Sequence, residues 1–160
     1  MTQFTDADIR IVDFAETRVA TLEHRGDPES IGDSIRRFIA WRKATGATPP
    51  RSATFNILHN DPETVDPEDF RIDLCAGTGA EIEPNDIGIF ADRIPGGRCA
   101  VLRLRGSGDN LRPATHFLYA DWLPRSGEEP RDAPFFAQRV SFYPEVPENE
   151  AVTDLFLPLR

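Results

Sequence analysis

The residues able to do chemistry are few in this chain and widely scattered. His24, His59 and His116 share no metal-ligand spacing, and no Gly-x-Ser-x-Gly places a nucleophile. Cys75 and Cys99 lack Cys-x-x-Cys spacing and lie in strand-like runs, so they read as buried small hydrophobes. The loop from Asp61 to Asp69 is dense in carboxylates, but its prolines and the missing central glycine do not fit a calcium loop. Gly77-Thr78-Gly79 leads to Pro84 and not to a helix, which makes it a linker and not a dinucleotide loop. Arg105-Gly106-Ser107-Gly108-Asp109 lacks a following Gly-Lys-Ser/Thr and reads as a turn and helix cap. Spacing therefore predicts no catalytic residue, no metal and no cofactor. What remains is aromatic. Trp41, Phe55, Phe90, Tyr119, Trp122 and Phe136 are the side chains best suited to hold a flat organic molecule.

The elements that must position them repeat. Arg18-Val19-Ala20-Thr21-Leu22-Glu23-His24-Arg25-Gly26 returns as Arg98-Cys99-Ala100-Val101-Leu102-Arg103-Leu104-Arg105-Gly106, at 98 − 18 = 80 positions. Trp41 and Trp122, Phe55 and Phe136, and Asp73-Leu74 and Asp154-Leu155 each follow at 81. Ile9 to Glu23 reads as strand, bent near Ala15-Glu16-Thr17. Asp27-Pro28-Glu29 starts a helix whose Ile31, Ile35, Phe38, Ile39 and Trp41 fall in one arc, and Gly46 ends it. Residues 52–59 and 70–75 follow as strands around the acidic loop. In the second half, 87–94 and 98–105 are strands joined at Pro95-Gly96-Gly97. Asp109 or Asn110 caps a helix with Leu111, Ala114, Leu118 and Trp122 on its apolar face. Strands over 134–143 and 152–159 close the repeat. The fold class is α+β: tandem duplicated β-α-β-β units, about 9–76 and 87–158, forming an antiparallel sheet with two helices and a central cleft. Residues 1–8 read as a loose lead-in.

At 160 residues the chain suits a single domain, and its net charge of −9 argues against direct nucleic-acid binding. No apolar run approaches the roughly 20 residues that span a bilayer, and no secretory signal opens the sequence, so a cytoplasmic location is expected.

The repeats carry motifs that resemble the GyrI-like small-molecule-binding domains, which also serve as effector domains of AraC-type regulators. Asn60-Asp61-Pro62-Glu63-Thr64, Pro67 and Phe70-Arg71-Ile72-Asp73-Leu74-Cys75 resemble the family's Asp-Asp-Pro … Thr-Pro … Arg-x-Asp-x-Cys segment. Gly96-Gly97-Arg98-Cys99-Ala100-Val101 is similar to Gly-Gly-x-Tyr/Cys-Ala-Val, and Trp122-Leu123-Pro124-Arg125-Ser126-Gly127 to Trp-Leu-Pro-x-Ser-Gly. Leu157-Pro158-Leu159 is similar to the ending. The resemblance implies two repeats, a small organic ligand held by aromatics, and a glutamate in a Pro-x-Phe-Glu-x-Tyr run. Here that run is Pro134-Phe135-Phe136-Ala137-Gln138-Arg139, with alanine for the glutamate and arginine for the tyrosine. Ala137 offers no acid, base or counter-charge, so planar cations should bind poorly and an enzyme is not expected. Arg139 favours an anionic or polar ligand instead. Two alternatives stay open: a hydrolase of cyclopropane-type xenobiotics using Glu16, Glu23 or Asp121, and a toxin- or gyrase-modulating protein partner. A regulator with its own DNA-binding part would need a helix-turn-helix segment, which is not among these residues.

Overall fold

A computed structural model describes residues 4–49, 51–106, 111–142 and 146–160. In chain order the strands are β1 (Ile9–Phe14), β2 (Thr17–Arg25), β3 (Thr54–Leu58), β4 (Arg71–Gly77), β5 (Phe90–Ile94), β6 (Gly97–Arg105), β7 (Phe136–Ser141) and β8 (Val152–Pro158). Helix α1 spans Ile31–Thr45; α2 (Leu111–His116) and α3 (Leu123–Ser126) flank a π-helical segment, Phe117–Trp122. All described ladders are antiparallel, so the class is α+β. The run read as one bent strand is two strands, broken at Ala15-Glu16. The chain forms two compact units: Glu16–Pro95, and the residues before Glu16 together with Gly96–Arg160. These boundaries differ from the sequence repeats by one strand each, because β1 pairs with β6 and β5 pairs with β2.

In the 16–95 unit the strand order is β3-β4-β2-β5. Helix α1 lays Phe38 on Ala20, Leu22, Leu74 and Ala76, with Trp41 packed at the margin. The Asp27 carboxylate accepts from the Glu29 N–H at 3.0 Å, as the Asp-Pro-Glu signal predicts. His24 fixes the helix start to β2. Its Nε2–H donates to the Asp27 carbonyl (3.0 Å), which leaves Nδ1 to accept the Ser34 hydroxyl (2.8 Å). Gly46, at φ 80°, ends α1 in the left-handed conformation. Arg42 is buried and donates to the Ala47 carbonyl, Thr54 Oγ1 and the Ser52 carbonyl at 2.6, 2.8 and 3.0 Å. Burial holds its pKa below the ordinary arginine value. The strand expected from Ile87 begins only at Phe90. Asn85 Oδ1 takes the Ile87, Gly88 and Ile89 amides (3.2, 3.0 and 2.9 Å) and turns that stretch aside.

In the second unit the order is β1-β6-β8-β7. Ala114, Leu118 and Trp122 are buried, as the apolar spacing predicts. The helix cap expected at Asp109 or Asn110 lies outside the described residues. Pro124 lacks the N–H that would continue the helix, and the backbone just before it winds in π form. Gly97 has φ 136°, and a Cβ there would lie 2.8 Å from the Arg131 guanidinium carbon. Arg131 Nη1 donates to the Gly96 carbonyl at 2.6 Å and Nε to the Leu159 carbonyl at 3.1 Å, so one side chain ties the β5–β6 turn to the end of the chain. The described lead-in residues are docked and not loose. Phe4 lies 5.8 Å from the Phe117 ring, and Asp6 takes two hydrogen bonds from Arg125 at 2.7 and 3.2 Å.

Candidate functional site

The two units carry different subsets of the sequence-predicted ligand residues. In the 16–95 unit, Phe55 is 3% exposed on β3, inside the core. Trp41 is half-buried, its ring stacked on Phe38 at 6.1 Å and 8°. Phe90 stands on β5 at 38% exposure. Of the three, Trp41 and Phe90 have surface to offer a ligand.

In the second unit, Trp122 and Phe136 are buried. Phe136 stacks on Phe156 at 4.6 Å, and Phe14 meets both rings edge-on at 4.9 and 5.3 Å. Tyr119 lies on the π segment, 41% exposed and 5.5 Å from the Phe135 ring. Desolvation raises its phenol pKa. On β7 the pleat puts Phe136 and Gln138 on one face and Ala137 and Arg139 on the other. Ala137 is fully buried. Arg139 is half-buried, donates to Thr153 Oγ1 at 3.3 Å, and has its pKa lowered by burial.

Both cysteines are free and buried. Burial pushes the Cys75 thiol up to about 12 and raises Cys99 as well. Among the described residues no group of three or more His, Cys, Asp or Glu is arranged to hold a metal.

Sequence reasoning missed two buried carboxylates, although it used both as repeat markers. Asp73 on β4 and Asp154 on β8 are 1% and 5% exposed. Asp154 is held by a fork from Arg103 across the β6–β8 ladder, Nε–Oδ1 2.8 Å and Nη2–Oδ2 2.9 Å, with Arg10 Nη2 3.8 Å from Oδ2. Asp73 meets His59 Nε2 at 2.9 Å and Arg71 Nε at 3.4 Å, and Arg71 also bridges to Glu23 at 3.2 Å. Arg25 donates to Glu23 at 2.7 Å, which is the main reason the Glu23 carboxyl titrates below its ordinary value. The available signal was a charged residue recurring inside otherwise apolar strands.

Residues 7–160 match the model of the GyrI-like small molecule binding domain. A probable transcriptional regulator, YgiV of Escherichia coli K12, is 38% identical over 160 residues, covering 99% of each chain. The crystal structure of the EcmrR C-terminal domain superposes with a TM-score of 0.74 at 16% identity, over 95% of this chain and 96% of that one. In the EcmrR–DNA complex the same match covers 57% of the regulator chain. SAV2435, a structure bound to tetraphenylphosphonium, matches at a TM-score of 0.54 and 8% identity, over 95% of this chain and 93% of that one. At these identities the structures share the fold.

Proposed function

The chain belongs to the GyrI-like family of small-molecule-binding domains, and from that premise we propose that it is an effector-binding domain for an uncharged or anionic organic ligand. The observation that carries the reading is the pair Ala137 and Arg139 on one face of β7. Where the family run has a glutamate, this chain has a methyl group, and two residues on it has a half-buried guanidinium. A lipophilic cation would meet the wrong sign of charge here. A carboxylate or sulfonate would meet a pre-positioned, partly desolvated donor. Tyr119, exposed in the same unit, supplies aromatic surface for the apolar part of such a ligand, with Trp122 and Phe136 behind it in the core. The kinship with regulators and their effector domains supports a role in sensing, the ligand's arrival being what is read out.

Binding is tested by titrating tetraphenylborate into the protein while following tryptophan fluorescence and the thermal midpoint. The expected result is saturable binding with a raised midpoint, both diminished in Arg139→Gln. Absence of saturable binding, or an undiminished midpoint shift in Arg139→Gln, overturns the assignment of Arg139 to the ligand.

A further inference from the structure

The duplicated framework contains an asymmetry that the ligand face of β7 does not involve. The offset of 80 places Arg103 on Glu23 and Arg10 on Phe90, and the ladders agree: Arg10 stands opposite Val101 and Phe90 opposite Thr21, again 101 − 21 = 80. Asp154 opposes Arg103 as Asp73 opposes Glu23. One buried aspartate is thus common to both units, while its neighbours have changed sign. In the 16–95 unit the charges close on themselves. Glu23 and Asp73 are matched by Arg25 and Arg71. In the other unit one carboxylate faces two arginines.

That carboxylate cannot satisfy both. Asp154 is nearly sealed from solvent, and each of its oxygens already accepts from Arg103 in a fork. Arg10 reaches only to 3.8 Å, beyond hydrogen-bonding range, and its side chain is 55% exposed. Arg103 is itself 41% exposed, so a rigidly oriented guanidinium keeps an open flank beside a second one. Gln138, opposite Asp154 on β7, brings an amide donor to the same face. Two guanidiniums, one fixed in place by a buried counter-ion, with a net charge of plus one, match the planar, two-oxygen geometry of a carboxylate or phosphate. A surface ion pair kept for stability alone would add little and would not need the second arginine.

We propose that Arg10 and Arg103, oriented by Asp154, form an anion-binding site for an oxyanion, on the face of the β1-β6-β8-β7 sheet opposite Ala137 and Arg139. The site goes beyond the effector reading and stands if that reading fails. Its test is calorimetric titration of inorganic phosphate at low ionic strength into the wild-type protein and into Arg10→Gln and Arg10→Lys. Arg10 is exposed on an edge strand, so Arg10→Gln should keep the wild-type melting curve. The expected result is saturable 1:1 binding of phosphate, weakened about tenfold in Arg10→Gln as for loss of one charge-assisted hydrogen bond, and partly kept in Arg10→Lys. The site is overturned if phosphate does not saturate, or if Arg10→Gln titrates like wild type.

Discussion

At the scale of single residues, like types play unlike parts. The two tryptophans occupy equivalent places in the repeat, yet Trp122 is buried and Trp41 is half-buried against Phe38. Trp122→Phe should therefore lose about 1–3 kcal/mol of stability, while Trp41→Phe should lose less. Chemical denaturation midpoints of the two variants check this, and equal losses would contradict it. Gly97 is a position where the backbone and a neighbour agree. Its φ of 136° strains any side chain, and a Cβ there would stand 2.8 Å from the Arg131 guanidinium carbon, which would have to shift and give up its bonds to the Gly96 and Leu159 carbonyls. Gly97→Ala should cost about 2–4 kcal/mol in the same assay, as strain and overpacking together. A cost near zero would mean that Arg131 yields freely.

At the scale of elements, the apolar arc of α1 was legible but its centre was not. Ile31, Ile35, Phe38, Ile39 and Trp41 do share an arc, yet the face pressed on the sheet is Ser34, Phe38 and Arg42. Ile35 and Ile39 are 39% and 45% exposed. A buried serine and arginine displaced the arc because His24 needs the Ser34 hydroxyl and the Ala47 and Ser52 carbonyls need the Arg42 guanidinium. Hydrophobic periodicity does not see such bonds. Phe38→Ala should destabilise by about 3–5 kcal/mol, whereas Ile39→Lys should change stability by less than about 0.5 kcal/mol. Thermal or urea unfolding of both variants decides between them. Alternation and turn residues made the strands legible, except that β1 and β2 were read as one bent strand and that Asn85 side-chain bonds delay β5. Strand β8 is buried along its whole length, so its sequence shows no clean alternation, and the aspartate on it was easy to pass over.

At the scale of the molecule, the two units share a frame and diverge in the charges set on it. The repeat and the family motifs were readable because they recur at fixed offsets. The partners of Asp154 were not, because Arg103 and Arg10 come from other strands and depend on register. The balanced cluster in the 16–95 unit also predicts a pH response. Glu23 is held below its ordinary 4.5 chiefly by the Arg25 hydrogen bond, with burial opposing and the charge of Arg71 adding. A carboxyl depressed by folding adds stability above its unfolded pKa, and that contribution is lost as pH falls from about 4.5 through the lower folded value. Glu23→Gln should flatten the stability profile below pH 4.5 and leave its alkaline side unchanged. An acid limb as steep as that of wild type would assign the effect to other groups.

If the sign of charge on β7 selects the ligand, two probes of one shape and opposite charge should report it directly. Tetraphenylborate and tetraphenylphosphonium are such a pair. Titrated calorimetrically into wild type and into the double variant Ala137→Glu/Arg139→Gln, they should reverse their order. Wild type should prefer the borate, and the double variant, if it retains a cooperative melt, should prefer the phosphonium. Preference for the phosphonium in the wild-type protein would contradict selection by charge on β7, whatever the variant does.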